Sequence, residues 1–159
     1  MNIKPGTFVL LVIMSIIGLI SAIVVLYEGW ILHIPPPLCV VSNESIFNVP
    51  INCEKVIFSP YGEIEGVPLE LLAAGWFIIN ISLVSVVGFA KKETSKKTLK
   101  FLYFWRFLGI IIVPYLVYLE FFVIHYVCLY CTTMHIMIII DFIVISYFLF
   151  SKHANLYVD

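Results

Sequence analysis

The chain has 159 residues, of which 62% are hydrophobic and 12% charged, and its mean hydropathy is +1.09. Soluble domains carry about 25% charged residues, so this composition excludes a globular protein in water and puts the chain in a bilayer. A net charge of −1 excludes a polybasic nucleic-acid binder and gives no global field toward a polyanion.

The first apolar run extends from Phe8 to about Tyr27 behind the single Lys4, enough to cross a hydrocarbon core of about 30 Å. A cleaved signal peptide is the rival reading, but the run is long and no small-residue cleavage motif follows it. A polar interval from about Glu28 to Glu65 comes next. Its Pro35-Pro36-Pro37 cannot sit in a helix interior and holds the chain extended. The interval also carries Cys39 and Cys53. Val67 to Ala90 is the second apolar run, with Pro68 tolerated in a first helical turn. Residues 91–100, with five lysines, read as a short basic loop. Phe101 to about Val127 forms a third run, kinked at Pro114, and Cys128 to Phe150 a fourth.

Only helices and closed barrels satisfy their backbone in lipid, and these runs lack barrel alternation. The expectation is an all-α membrane protein in a single domain: a four-transmembrane-helix bundle with helices near 8–27, 67–90, 101–127 and 128–150. A long extracytoplasmic loop joins the first two.

Orientation follows from lysine and arginine placement. Lys4, the five lysines of 91–100, Arg106 and Lys152 fall on one side, whereas the first loop holds Lys55 alone. Both termini are therefore expected in the cytoplasm of a multi-pass cell-membrane protein, or of an endoplasmic reticulum protein in a eukaryote. The first loop and the start of the fourth helix then share the outer surface. All four cysteines of the chain lie there, which implies an oxidising compartment.

Cys128 and Cys131 form a Cys-x-x-Cys pair at the mouth of a membrane helix. Backbone N–H groups at a helix N-terminus favour the thiolate that attacks disulfides, so the pattern is one of electron transfer. Two other readings use the same cysteines. Static disulfides would make a stapled structural membrane protein, and Cys128, Cys131, His135 and a loop cysteine have the donor types of a zinc site. The chain lacks the second Cys-x-x-Cys or His-x-x-x-His that usually completes such a site.

Cys39, the stretch Cys53 to Gly62 with Ser59 six residues after its cysteine, Gly66-Val67-Pro68 at the start of the second helix, and Cys128-Leu129-Tyr130-Cys131 together resemble the vitamin K epoxide reductase family, in particular its stand-alone prokaryotic members. Lysine in place of arginine and abundant isoleucine suit an AT-rich, archaeal genome. The DsbB family has the two cysteine pairs in the opposite order.

The resemblance implies a thiol relay to a quinone. Cys39 would face a separate thioredoxin-like partner, of the DsbA-like or PDI-like kind, since no fused thioredoxin-like domain is expected. Cys53 would pass electrons to Cys128, and Cys131 would reduce a membrane quinone such as menaquinone or ubiquinone. Vitamin K epoxide reduction on the same cysteines is the alternative within the family. The loop cysteines would rest either as Cys39–Cys53 or as a Cys53–Cys128 bridge.

Ser59, His135 and Asn80 are the candidate quinone contacts. His135 lies one turn below Cys131 on the same face and replaces a family tyrosine. Ser59 has a rival use as a helix cap or turn residue, and Asn80 as an interhelical hydrogen bonder. Trp30, Trp76 and Tyr61 lie where they would close over a ring. Arg106 and Asp141 are expected to pair inside the bilayer. Glu120 reads as an interfacial carboxylate, with proton exchange at the quinone as its other use. Asn43-Glu44-Ser45 is a glycosylation sequon.

Overall fold

The computed structural model describes residues 3–37, 39 and 45–150. Asn43 of the sequon and Lys152 lie outside these described residues. Among the described residues, four helices are long and apolar enough to cross a membrane: 5–31, 69–89, 92–124 and 129–150.

Helix α1 (Pro5–Val24) starts on a proline, whose missing N–H costs nothing in a first turn. It runs on through a π-helical turn at Val25–Ile31. In the loop between the first two transmembrane helices, strands β1 (Ser45–Ile46) and β2 (Val49–Pro50) form a hairpin and lead into the short helix α2 (Cys53–Ile57). A second hairpin, β3 (Glu63–Ile64) with β4 (Val67–Pro68), delivers the chain to helix α3 (Leu69–Phe89). Both hairpins turn on two residues with positive φ, Phe47-Asn48 and Glu65-Gly66, the geometry that matches the strands' own twist. Helix α4 (Lys92–Tyr118) continues as a π-helical turn at Leu119–Ile124. Left-handed His125 then stops it, and α5 (Leu129–Phe150) completes the bundle.

The basic stretch 91–100 is helical and not a loop: α4 begins at Lys92. Its first turns are held by Ser95, whose hydroxyl donates to Val87 O at 2.7 Å, and by inward-facing Leu99 and Leu102. Lys97 and Glu93 pair on the solvent side. This earlier start puts Arg106 14 residues into the helix, about 21 Å along its axis from Lys92 at 1.5 Å per residue, and not at its end. It is buried in the bundle and leaves the set of loop charges.

The transmembrane helices form a ring in which α1 and α4 each pack against α3 and α5. Three layers stack along the ring. An outer layer holds the cysteines with Ala22, Val25, Ala74 and Phe77. An inner layer is built from Leu11, Val84, Val87, Leu99, Leu102 and Ile145. Between them lies a polar clasp with one residue from every transmembrane helix. Arg106 Nε donates to Asn80 Oδ1 at 3.0 Å, and its Nη1 to the Asp141 backbone O at 3.0 Å. Its Nη2 stands 3.5 Å from Asp141 Oδ2. Asn80 Nδ2 donates to Asp141 Oδ2 and to Ser15 Oγ at 2.8 and 2.7 Å. All four residues are fully buried. The opposite helix faces, with Ile13, Ile20, Ile79, Phe104, Ile111 and Ile143, are exposed and suit lipid.

Removing one partner of a buried ion pair leaves an uncompensated charge and costs about 3–5 kcal/mol, whereas replacing both with apolar residues is near neutral. Asp141→Leu is therefore expected to lower stability in detergent by about that amount, and the double variant Arg106→Met/Asp141→Leu to recover most of it. Denaturant titration followed by circular dichroism checks both. Gly18 lies directly beneath the buried Phe77 ring, and a Cβ there would overlap Phe77 Cζ. Gly18→Ala should cost about 1–3 kcal/mol by overpacking, read in the same titration.

Candidate functional site

The outer loop reaches the start of α5 through backbone pairing. Ile51 forms a parallel bridge with Val127. Asn52 N–H donates to Val127 O at 3.0 Å, and Val127 N–H to Pro50 O at 3.1 Å. Cys53 follows that bridge by two residues and Cys128 by one, so the pairing draws the two cysteines together. Asn52 also caps α2, its Oδ1 accepting the Lys55 N–H at 3.0 Å, which puts Cys53 in the first turn of that helix. Cys39 arrives from the proline segment, which Tyr130 anchors by donating its hydroxyl to Pro37 O at 2.6 Å.

Cys39 and Cys53 form a disulfide with Cα atoms 5.5 Å apart, while Cys128 and Cys131 are free thiols. Of the two resting patterns open from sequence, this structure has the first. The sulfurs of Cys39, Cys53 and Cys128 all lie within 4.8 Å of one another. Metal binding by this trio does not fit the present state, because two of the sulfurs are bonded to each other. Thiol–disulfide exchange fits, since a thiolate attacks a disulfide through a mixed disulfide and needs only approach. Cys128 sits just ahead of α5, and its sulfur accepts the Cys131 N–H at 3.3 Å. Cys131 lies one turn deeper, 9% exposed.

The Cys131 side opens on a cleft between the loop after α2, the start of α3, the end of α4 and α5. Its lining includes Ser59, Glu70, Glu120, Cys131, Met134 and His135. The cavity is about 90 Å³ and shares lining residues with neighbours of about 340 and 230 Å³ that reach Ile112 and Tyr115 on the lipid side of α4. The series is overwhelmingly apolar; the larger neighbour lies between the segment 60–64 and α4, and the smaller one between α3 and α4.

The candidate contacts separate here. His135 lies in the cleft, buried, with its Nδ1 lacking a hydrogen-bond partner. Ser59 also lines the cleft, but its hydroxyl donates to Val56 O at 2.8 Å and accepts from Tyr61 N–H at 3.3 Å. It is engaged as a turn residue. Asn80 is absent from the cleft lining, its side chain taken up by Ser15, Asp141 and Arg106. Tyr61 lines the cleft. Trp76 borders the adjoining cavity and stacks on Trp105 at 6.3 Å. Trp30 is turned to Glu70, donating from Nε1 to Oε2 at 3.3 Å.

Sequence reasoning missed Glu70 and misread Glu120. Glu120 is 4% exposed and faces inward, not toward an interface. The signal was present as spacing: Leu102, Arg106, Gly109, Val113, Leu116 and Glu120 recur every three or four residues on one face of α4.

A search of the curated proteins gives no match. The sequence model of the vitamin K epoxide reductase family, by contrast, matches residues 9–146, from the start of α1 almost to the end of α5, and takes in all four cysteines. With that match added to four membrane helices and a loop disulfide within reach of a buried Cys-x-x-Cys, the chain belongs to the vitamin K epoxide reductase family and is a membrane redox enzyme.

Proposed function

We propose that the protein is a thiol oxidoreductase that passes electrons from a thioredoxin-like protein dithiol to a membrane quinone, and so supports disulfide formation outside the cytoplasm. The observation that carries the reading is the meeting of the Cys39–Cys53 disulfide with the Cys128 sulfur, within 4.8 Å, above a cleft that exposes Cys131.

The relay runs through these sulfurs in order. A partner thiolate attacks Cys39, a mixed disulfide forms and resolves, and Cys39 and Cys53 become thiols as the partner is oxidised. Cys53 then attacks Cys128 of an oxidised Cys128–Cys131 pair. When Cys39 closes back on Cys53, two electrons rest on Cys128 and Cys131. The present bonding pattern, loop pair oxidised and helix pair reduced, is that stage.

A quinone suits the cleft on three counts. The lining is apolar, as for most small-molecule sites. His135 offers an unpartnered buried Nδ1, and a buried polar atom without a partner costs about 1–3 kcal/mol until a ligand supplies one. The neighbouring cavities give an apolar tail room toward the lipid along α4, between it and both the segment 60–64 and α3. When bound, the quinone supplies the two-electron acceptor. Cys131 donates to it, His135 orients it, and the wall formed by Leu116, Leu119 and Ile138 keeps water out. Lys4 and the lysines at the start of α4, against Lys55 alone in the outer loop, support the cysteine end facing away from the cytoplasm.

Purified in detergent with a reduced thioredoxin-like donor, the wild type should reduce quinone. Cys131→Ala should abolish that reduction, whereas Cys39→Ala should block the protein donor and still pass electrons from a small dithiol. If all four cysteine-to-alanine variants fold and no donor drives quinone reduction even in the wild type, the protein is a stapled structural bundle. His135→Leu should raise the KM for quinone about tenfold, the loss of one hydrogen bond of about 1.4 kcal/mol, with the thiol exchange steps unchanged. Steady-state kinetics with a short-chain quinone decides it.

A further inference from the structure

Two carboxylates stand in the Cys131 cleft, Glu70 and Glu120, and they differ in what explains them. Glu70 is in the first turn of α3, where the helix dipole favours a negative group, and it receives the Trp30 indole N–H. Glu120 lacks the dipole support, and the side chain beside it is that of Thr132. Glu120 sits near the C-terminal end of α4, the unfavourable end for a carboxylate. Among the described residues the ion pairs are Arg106–Asp141 and Lys97–Glu93, and neither involves Glu120. An acid inside a membrane span without a cation is expensive and marks a functional position. Its π-helical turn is also a form that recurs at functional sites.

The neighbourhood says what the acid serves. Glu120 lines the same small cavity as Cys131 and His135 and lies beside Thr132. The titratable groups facing it are Cys131 and His135 from α5, Glu70 from α3 and Tyr61 from the loop after α2. No lysine or arginine lines the cavity.

We propose that Glu120 is the proton carrier between the Cys131 thiol and the ring oxygen of the acceptor, an inference that rests on the quinone reading above. Converting Cys128 and Cys131 to a disulfide releases two electrons and two protons, and reducing a quinone to a quinol consumes two of each. Electrons leave through the Cys131 sulfur. As an acid, Glu120 gives its proton to the ring oxygen, and as the resulting carboxylate it recovers one from the thiol. With this exchange repeated for the second oxygen, both thiol protons end on the quinol, one S–S bond has formed, and no proton need enter from the cytoplasm.

The test compares wild type, Glu120→Gln and Glu120→Asp in detergent, in quinone reduction and in exchange between the loop disulfide and a small dithiol. It adds covalent labelling of wild-type Glu120 by a hydrophobic carbodiimide, read by mass spectrometry with and without a short-chain quinone. Glu120→Gln should lower kcat for quinone reduction about 10²-fold, the usual worth of a general acid–base group, with KM and thiol exchange unchanged. Glu120→Asp should restore part of the rate, and quinone should slow the labelling several-fold. A Glu120→Gln rate within threefold of wild type overturns the proposal and leaves the quinone reading standing. If the wild type itself reduces no quinone while its thiols exchange normally, the quinone reading has failed and the proposal with it. Should Glu120→Gln not fold, the wild-type labelling decides: protection by quinone supports the proposal, and labelling indifferent to quinone overturns it.

Discussion

A guanidinium buried inside a membrane bundle must find its partners within the protein, and Arg106 finds them on the other helices. One residue from each of α1, α3, α4 and α5 converges on it or on its partner Asp141. Apolar side chains alone give membrane helices little reason to prefer one neighbour over another, because lipid tails are as apolar as leucine. The clasp supplies such a preference. Its hydrogen bonds, which leave Arg106 Nη2 and Asp141 Oδ1 without one, join residues of all four helices as they stand in the observed ring.

That fixed ring presents the outer layer, where the redox groups gather. Among the described residues, the loop carrying Cys39 and Cys53 holds two-residue strands and one short helix. Its position comes from attachment. The Ile51–Val127 bridge, the Asn52 cap and the Tyr130–Pro37 bond each tie it to itself or to the segment around the start of α5. A relay needs this combination. Sulfurs must approach within a few ångströms to exchange, yet the donor loop must accept bonds to different partners in turn.

The cleft below Cys131 holds few polar groups. Its walls are isoleucine, leucine and methionine, and against them stand a thiol, an unpartnered imidazole nitrogen and two acids. The engaged side chains nearby are as informative as the free ones. Ser59 has its hydroxyl engaged in the turn after α2 and Asn80 its amide in the clasp.

The sequence by itself determined that the chain belongs in a membrane, that it crosses as four helices, and that its cysteines form a spaced loop pair and a Cys-x-x-Cys. These follow from composition, run length and local spacing, which are properties of contiguous residues. Even the inward stripe carrying Arg106 and Glu120 was written in the spacing along α4, although hydropathy alone drew the helix start at Phe101, because the lysines of its first turns are polar yet helical. Only the tertiary structure decided which polar residues answer to one another. Asn80 reads equally well as a ligand contact or as a helix tie, and the choice depends on Ser15 and Asp141, 65 and 61 residues away. The same holds for the approach of Cys53 to Cys128, which depends on a backbone bridge between residues 51 and 127. Hydrogen bonds between distant segments leave no periodic trace in the chain, so they become visible only when the helices are placed side by side.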